Sequence, residues 1–150
     1  MTTSVLGLLL ACSIATSTEC DTSCKERLIG DYFERIGRVF SKHSTASDID
    51  RLFELFHEKV RYQHSEYGAD FAKSAWKEAF LANLKRGAYD KQANEQIRVV
   101  TLIHGKQHTA VGYAYGAVQP GGDWQSSDDQ VLLALFGFEG DKIVLVREYW

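Results

Sequence analysis

The sequence has no cluster of lysine and arginine residues, and its formal net charge at pH 7 is -3. Binding to a nucleic-acid backbone requires a concentrated basic face, so we expect no nucleic-acid partner. The sequence also lacks an apolar run long enough to cross a bilayer, because the run at residues 5–15 is shorter than the roughly 20 residues of a spanning helix. We therefore expect no membrane span.

Motifs for metals and cofactors are also missing. His57 and Glu58 lack the second histidine of the His-Glu-x-x-His zinc motif, and His104 and His108 flank a turn with no carboxylate nearby in sequence. The glycine-containing stretch at residues 112–116 falls inside an apolar segment rather than before a helix, so it does not form a dinucleotide-binding loop. We expect neither a metal ion nor a cofactor.

The composition is that of a globular protein. The 150 residues are 45% apolar and 25% charged, and this length suits one domain with one core. No repeat, linker or low-complexity segment interrupts the sequence. We expect a signal peptide at residues 1–17 and a single domain at residues 18–150.

The apolar run at residues 5–15 has the length of the hydrophobic part of a signal peptide, and small residues follow it. This pattern predicts a secreted or periplasmic protein whose mature chain begins between Thr16 and Thr18. A lipid anchor is an alternative, because residues 9–12 are similar to a bacterial lipobox that ends at Cys12. A disordered N-terminus is a further alternative.

Removal of residues 1–17 would leave two cysteines, Cys20 and Cys24. In an oxidising compartment, a pair of this kind favours a disulfide. Residues four apart need a tight local turn to form one, so two free or intermolecular thiols are the alternative.

Three segments have apolar residues at helical spacing. The first spans residues 28–40, the second begins at Ser47, and the third follows Asp70, which we expect to cap it, and ends at Gly87. Between the second and third helices, residues 60–64 alternate between apolar and polar side chains, which predicts a short strand.

The rest of the chain predicts four strands, at residues 96–103, 108–118, 130–138 and 142–150. Helices segregated from an antiparallel meander define the α+β class. A sheet of this length must curve around the helices to bury their apolar faces. The predicted fold is a curved, mostly antiparallel sheet wrapped around three N-terminal helices, cone-shaped with a central cavity.

This order of elements resembles the SnoaL-like, nuclear transport factor 2-like superfamily. The resemblance also rests on the strand at residues 60–64, on the helix that contains Trp76, and on residues 140–150, which are similar to the family's terminal strand. It implies helices over a strongly curved sheet and a ligand inside the cone. The superfamily includes isomerases, dehydratases, epoxide hydrolases, polyketide cyclases and proteins without catalysis, so the resemblance does not imply one activity.

His64 matches the position of a histidine that is often seen in this family where the short strand leaves the second helix, and Ser65 and Glu66 replace the acidic residue that often follows it. If the strand continues, Tyr62, His64 and Glu66 share one face. A histidine or a desolvated carboxylate at the mouth of a cavity can serve as a general base. We therefore predict His64 and Glu66 as catalytic residues. The alternative is a rim turn whose polar groups bond to local backbone.

Aromatic residues with one polar atom suit both ligand binding and core packing. The predicted ligand-binding residues of this kind are Tyr62, Tyr67, Trp76, Tyr113 and Tyr115. Core packing is the alternative for Trp76 and the two sheet tyrosines, because a helix and a sheet face must meet. Glu148 completes the set if its side chain points inward, since a buried carboxylate needs a partner. An exposed ion pair is the alternative for Glu148.

The leading hypothesis is an exported protein that binds a small, largely apolar molecule in its cone cavity, with acid/base isomerase or lyase activity as an extension. The alternative is a non-catalytic, dimeric interaction module whose cavity is filled by its own side chains. We expect a homodimer through the sheet, because residues 131–138 are apolar on both faces and one of these faces would otherwise be left in water.

Overall fold

A computed structural model describes residues 19–150 of the protein. The predicted signal peptide at residues 1–17 and the alternative lipid anchor at Cys12 lie outside the described residues. Within the described part, no helix is long and apolar enough to cross a membrane.

The structure has three helices: α1 (Thr22–Phe40), α2 (Ala46–Phe53) and α3 (Lys73–Lys85). At the start of α1, the Asp21 carboxylate accepts a hydrogen bond from the Cys24 amide at 2.8 Å, which caps the helix. A disulfide joins Cys20 to Cys24 across this first turn, with an S–S distance of 2.04 Å. Of the two alternatives for these cysteines, the structure has the disulfide.

The start of α2 differs from the predicted one. Thr45, not Ser47, is the cap, and its backbone amide donates to the Asp48 carboxylate at 2.8 Å while its hydroxyl accepts from the Asp48 amide at 3.4 Å. Two amides at the helix start are satisfied by this reciprocal pair, which favours the earlier start.

Seven strands form one sheet: β1 (Phe56–His64), β2 (Ala69–Ala72), β3 (Glu95–His104), β4 (His108–Val118), β5 (Trp124–Ser126), β6 (Leu132–Glu139) and β7 (Lys142–Glu148). Their order is β2-β1-β7-β6-β4-β3, and β5 pairs with β4. All pairs are antiparallel except β1 with β7, which is parallel. The predicted α+β class, with three helices and a mostly antiparallel sheet, is confirmed.

The sequence does not predict the short strands β2 and β5. Asp70 lies in β2 instead of capping the third helix, and its carboxylate accepts a hydrogen bond from Arg61 Nε on β1 at 3.0 Å. α3 begins at Lys73 without a side-chain cap. The predicted cap at Asp70 is therefore wrong, because a cross-strand ion pair uses that side chain.

The helices lie on one face of the sheet, which we call the inner face. α1 contacts the middle strands through its rings: Tyr32 lies 5.0 Å from Phe136, and Phe33 lies 4.9 Å from Tyr113, between ring centroids. Aromatic rings prefer tilted or edge-to-face contacts at such distances. These rings fill the space between α1 and the middle of the sheet.

Candidate functional site

The parallel pairing of β1 with β7 determines which candidate residues share a face of the sheet. Tyr62 lies opposite Val146, and His64 lies opposite Glu148. Val146 is fully buried in the core beneath the helices. Because side chains alternate along a strand, Tyr62, His64 and Glu148 all project from the inner face.

Glu148 is at the centre of a chain of side-chain hydrogen bonds. Its carboxylate accepts one bond from Tyr62 Oη at 2.6 Å and a second from Tyr113 Oη at 3.0 Å. Tyr113 Oη accepts a bond from Trp150 Nε1 at 2.7 Å. We call these four residues the Glu148 cluster. Both oxygens of the half-buried carboxylate have a partner, which offsets the cost of removing it from water.

The phenols of this region stay protonated. Burial, and then the negative charge of Glu148, raise the pKa of Tyr62 and the pKa of Tyr113 well above the usual tyrosine value. The same two causes raise the pKa of Tyr115 to about 12. At physiological pH the three tyrosines are therefore protonated, and Tyr62 and Tyr113 donate their hydroxyl hydrogens to the Glu148 carboxylate.

His64 is buried, with 4% of its surface exposed. Its ring lies 4.3 Å from the ring of Tyr67 and 4.8 Å from the ring of Trp150, between centroids. Neither ring nitrogen has a hydrogen-bond partner among residues 19–150. Most buried polar side-chain atoms in proteins are hydrogen-bonded, so this imidazole needs an explanation.

Glu66 and Tyr67 lie outside the strand. β1 ends at His64, and the chain turns at residues 65–68, where Glu66 is exposed. The expected convergence of Tyr62, His64 and Glu66 requires the strand to continue past His64, and it does not. Glu148 is the carboxylate that lies beside His64 in the sheet. The Tyr67 side chain is largely exposed but covers one side of the His64 ring.

Trp76 and Tyr115 belong both to the core and to the surroundings of the cluster. The Trp76 ring is stacked on Tyr62 with 4.6 Å between centroids and an interplanar angle of 17°. The Tyr115 ring lies 6.0 Å from Tyr113, and Lys91 Nζ lies 4.9 Å from the Tyr115 centroid. Both residues pack in or against the core, and both have ring contacts with a tyrosine of the cluster.

Open space lies next to the cluster. Five surface clefts of about 170 to 480 Å³ in the described part of the chain have no member of the cluster in their lining. One cleft, of about 420 Å³, lies between α1 and β3 and is lined by Phe33 and Ile97. Phe33 contacts Tyr113, so one side chain separates this cleft from the cluster.

No group of three or more histidine, cysteine, aspartate or glutamate residues is placed to hold a metal ion within residues 19–150. The His104 ring contacts Thr109 Oγ1 at 3.1 Å and Glu26 Oε1 at 3.2 Å, but Thr109 is fully buried. Both nitrogens of the His104 ring have a partner, in contrast to those of His64. We therefore treat the Glu148 cluster and His64 as the candidate site.

Trp150 is the member of the cluster that the sequence does not predict as a site residue. The signal is an alternation: Val146, Glu148 and Trp150 are two residues apart, so their side chains share a face while the chain stays extended. A partly buried indole N–H usually finds an acceptor, and Tyr113 supplies it.

Solved structures with a similar fold cover most of this chain. The epoxide hydrolase/cyclase-like enzyme SalBIII, which has a role in pyran ring formation in the polyether salinomycin, is 18% identical, with a TM-score of 0.59 over 87% of this chain and 92% of its own. An LEH-like epoxide hydrolase of M. tuberculosis is 8% identical, with a TM-score of 0.57 over 86% of this chain and 79% of its own. A nuclear transport factor 2-like protein of unknown function from Burkholderia pseudomallei K96243 is 14% identical, with a TM-score of 0.57 over 86% of this chain and 92% of its own.

No protein-family model and no curated protein matches the sequence. Identities of 8% to 18% with the solved structures show the fold alone. The chain has the fold of the SnoaL-like, nuclear transport factor 2-like superfamily, as the sequence predicts.

Proposed function

We propose that the protein binds a small, largely apolar molecule on the inner face of the sheet, with the Glu148 cluster as its polar contact. The observation that carries this proposal is the Glu148 carboxylate, which is half-buried between aromatic side chains and held by two protonated phenols. A few fixed polar groups within an apolar surround are typical of small-molecule sites. The apolar surround would hold most of the ligand, and the cluster would orient its polar group.

His64 supplies a second polar contact in this proposal. A buried polar group without a partner costs about 1 to 3 kcal/mol, and both ring nitrogens of His64 are in this state among the described residues. A ligand that forms a hydrogen bond to the imidazole would recover part of that free energy. Ligand binding is therefore favoured beside His64 more than beside a fully paired side chain.

The proposal extends to acid/base chemistry of the isomerase or lyase type. A carboxylate has about four acceptor positions, so Glu148 can accept a proton while two phenols hold it. Once Glu148 has taken up a proton, Tyr62 or Tyr113 can turn its hydroxyl hydrogen from the carboxylate to a ligand oxygen and stabilise negative charge that develops there. Two structural neighbours are described as epoxide hydrolase or cyclase-like enzymes, which supports an enzymatic role. Glu148 takes the role that the sequence suggests for Glu66.

The binding proposal is tested by titrating the protein with naphthol and with naphthalene, which lacks the hydroxyl group, and by following backbone amide shifts. We expect naphthol to bind more tightly, and Glu148→Gln to weaken naphthol binding about tenfold, which corresponds to about 1.4 kcal/mol. Glu78→Gln, an exposed carboxylate on α3, is the matched control. Equal affinities of the Glu148 and Glu78 variants would reject the proposal.

We also propose that the chain is exported, with residues 1–17 as a signal peptide. The disulfide between Cys20 and Cys24 supports export, because disulfides persist mainly in oxidising compartments. N-terminal sequencing of the protein from its native source is expected to find a start between Thr16 and Thr18. A lipid-modified Cys12 at the N-terminus would favour the anchor, and a retained Met1 would exclude export.

The second candidate function is a dimeric interaction module, and the outer face of the sheet favours it. Ile103 on β3 and Val131 just before β6 are 68% and 53% exposed, and Leu133 on β6, opposite Gly112 of the intervening strand β4, is 46% exposed. The alternative to a dimer is that the segment at residues 119–129 covers this face, but its Trp124 lies over Gly116 and leaves Ile103, Val131 and Leu133 exposed. Such a patch is favourable for pairing two sheets.

Sedimentation equilibrium tests the homodimer. At tens of micromolar we expect a dimer, and Leu133→Lys should shift it to a monomer by placing a charge in the apolar patch. A monomeric wild-type protein at this concentration would contradict the dimer.

A further inference from the structure

We propose that the Trp150 side chain occupies the place of the ligand's ring, so that the ligand is a flat aromatic molecule with an N–H or O–H donor that displaces the indole. This inference rests on the proposed function, because it specifies the ligand of the same site. Among the described residues, the indole is one of two rings that lie within 5 Å of the His64 ring, between centroids, the other being Tyr67. It also donates to the Glu148 cluster.

The direction of the hydrogen bonds specifies a donor. Trp150 Nε1 donates a hydrogen bond to Tyr113 Oη, and the Tyr113 hydroxyl donates its own hydrogen bond to Glu148. A group in place of the indole therefore meets a lone pair of the phenol oxygen. A ligand with only acceptor atoms would force Tyr113 to give up its bond to the carboxylate, which would leave Glu148 with one partner fewer.

The shape of the space specifies a flat ring. The Trp150 ring meets the His64 ring edge to face, with 4.8 Å between centroids and an interplanar angle of 79°. Aromatic pairs favour this geometry, and a saturated ring of the same size would lose it. The unpaired nitrogens of His64 can bond to a second polar group on the ligand, which the indole does not provide.

Trp150 can leave the site without breaking the sheet. β7 ends at Glu148, and the backbone bond from the Tyr149 amide to the Leu133 carbonyl, 3.0 Å long, precedes Trp150. Release of the indole breaks one side-chain hydrogen bond and the ring contacts of Trp150. A ligand of the proposed class forms a hydrogen bond and ring contacts of the same type in their place. Trp150 therefore acts as a competitor within the chain, and it raises the apparent Kd of the ligand.

Two probes and one variant test this inference on the full-length protein. Indole has the N–H donor, and N-methylindole has the same ring without it. We expect Trp150→Ala to bind indole at least about tenfold more tightly than the wild type does, because the competitor is gone. In this variant, indole should bind about tenfold more tightly than N-methylindole, which is the usual scale of one lost hydrogen bond.

Three controls make the outcome specific. Tyr149→Ala removes a neighbouring, exposed aromatic ring and should leave indole binding at the wild-type level. Adding Tyr113→Phe to Trp150→Ala should abolish the preference for indole over N-methylindole. If Trp150→Ala does not fold, Trp150→Phe retains a ring without the N–H, and it should still bind indole more tightly than the wild type.

The possible failures are distinguishable. If Trp150→Ala binds indole no more tightly than the wild type, while the wild type binds naphthol through Glu148, the inference is overturned and the proposed function stands. If no variant binds either indole or naphthol, both fail. Equal binding of indole and N-methylindole to Trp150→Ala would overturn the donor requirement.

Discussion

The two ends of strand β1 are buried to the same degree but in different ways. Phe56, at the start, is 2% exposed and is surrounded by the rings of Phe53 and Trp76 at 5.2 and 4.7 Å. His64, at the end, is 4% exposed, and its ring nitrogens have no partner among residues 19–150. One end buries only apolar atoms, whereas the other also buries polar atoms at a cost.

The difference shows that burial alone does not identify a site in this molecule. The Phe56 end stabilises the fold, because every buried atom there gains contacts without losing a hydrogen bond. The His64 end contributes less to stability than its burial suggests. We expect this end of the strand to contribute to ligand binding instead, because an unpaired polar group can gain a partner from a ligand.

The largest expected effect is at the Phe56 end. Phe56→Ala should lower the free energy of unfolding by about 3 to 5 kcal/mol, because it leaves a cavity among aromatic rings. Urea denaturation of the variant and the wild type measures the difference. A loss below about 1 kcal/mol would mean that this end is not the rigid core that the ring contacts indicate.

A smaller effect is expected in the Glu148 cluster. Tyr62→Phe keeps the ring stacked on Trp76 but removes one donor to the Glu148 carboxylate, so we expect a loss of about 1 to 3 kcal/mol in the same experiment. Tyr67→Phe is the matched control, because its exposed hydroxyl should contribute little. Equal losses in the two variants would show that the bond to Glu148 does not stabilise the fold.

Alkaline pH is expected to weaken the fold through the same region. The pKa of Tyr115 is about 12 in the folded protein and about 10 in an unfolded chain. Between these values the unfolded state releases its proton first, so stability is complete below pH 10 and falls as pH rises toward 12. The contribution of Tyr115 is up to about 1.4 kcal/mol per pH unit. Tyr115→Phe should remove it from the slope of stability against pH, and an unchanged slope would contradict the environment described for this phenol.

The smallest expected effect is on the Kd for naphthol, and it compares two carboxylates. The sequence favours Glu66, and the structure favours Glu148. Glu66→Gln should change the Kd for naphthol by less than about twofold, since loss of an exposed group rarely costs more than about 0.5 kcal/mol. Titration with naphthol, followed by backbone amide shifts under the conditions used for Glu148→Gln, gives the comparison. A larger effect at Glu66 than at Glu148 would favour Glu66 as the carboxylate of the site, as the sequence predicts.

The sequence predicts the fold better than the site, for physical reasons. Alternating and helical patterns are local, so the three helices and the long strands follow from them. β2 is too short to have such a pattern, and Asp70 fits a helix cap as well as a strand. The site depends on the pairing of β1 with β7, which places His64 beside Glu148, and no local pattern contains that register. The bond from Trp150 to Tyr113 depends in turn on the strand order β7-β6-β4, which no local pattern contains either.

The most direct test of a ligand site at His64 uses His64→Leu, in which an apolar side chain replaces the unpaired imidazole. We expect the free energy of unfolding to stay within about 1 kcal/mol of the wild-type value or to rise, because no hydrogen bond is lost. Naphthol binding should weaken about tenfold in the same protein preparation, because the naphthol oxygen loses the imidazole N–H as a donor while its own hydrogen still bonds to the Glu148 cluster. A variant that loses 2 kcal/mol or more of stability, by about the scale of a broken buried hydrogen bond, and still binds naphthol like the wild type would contradict the account.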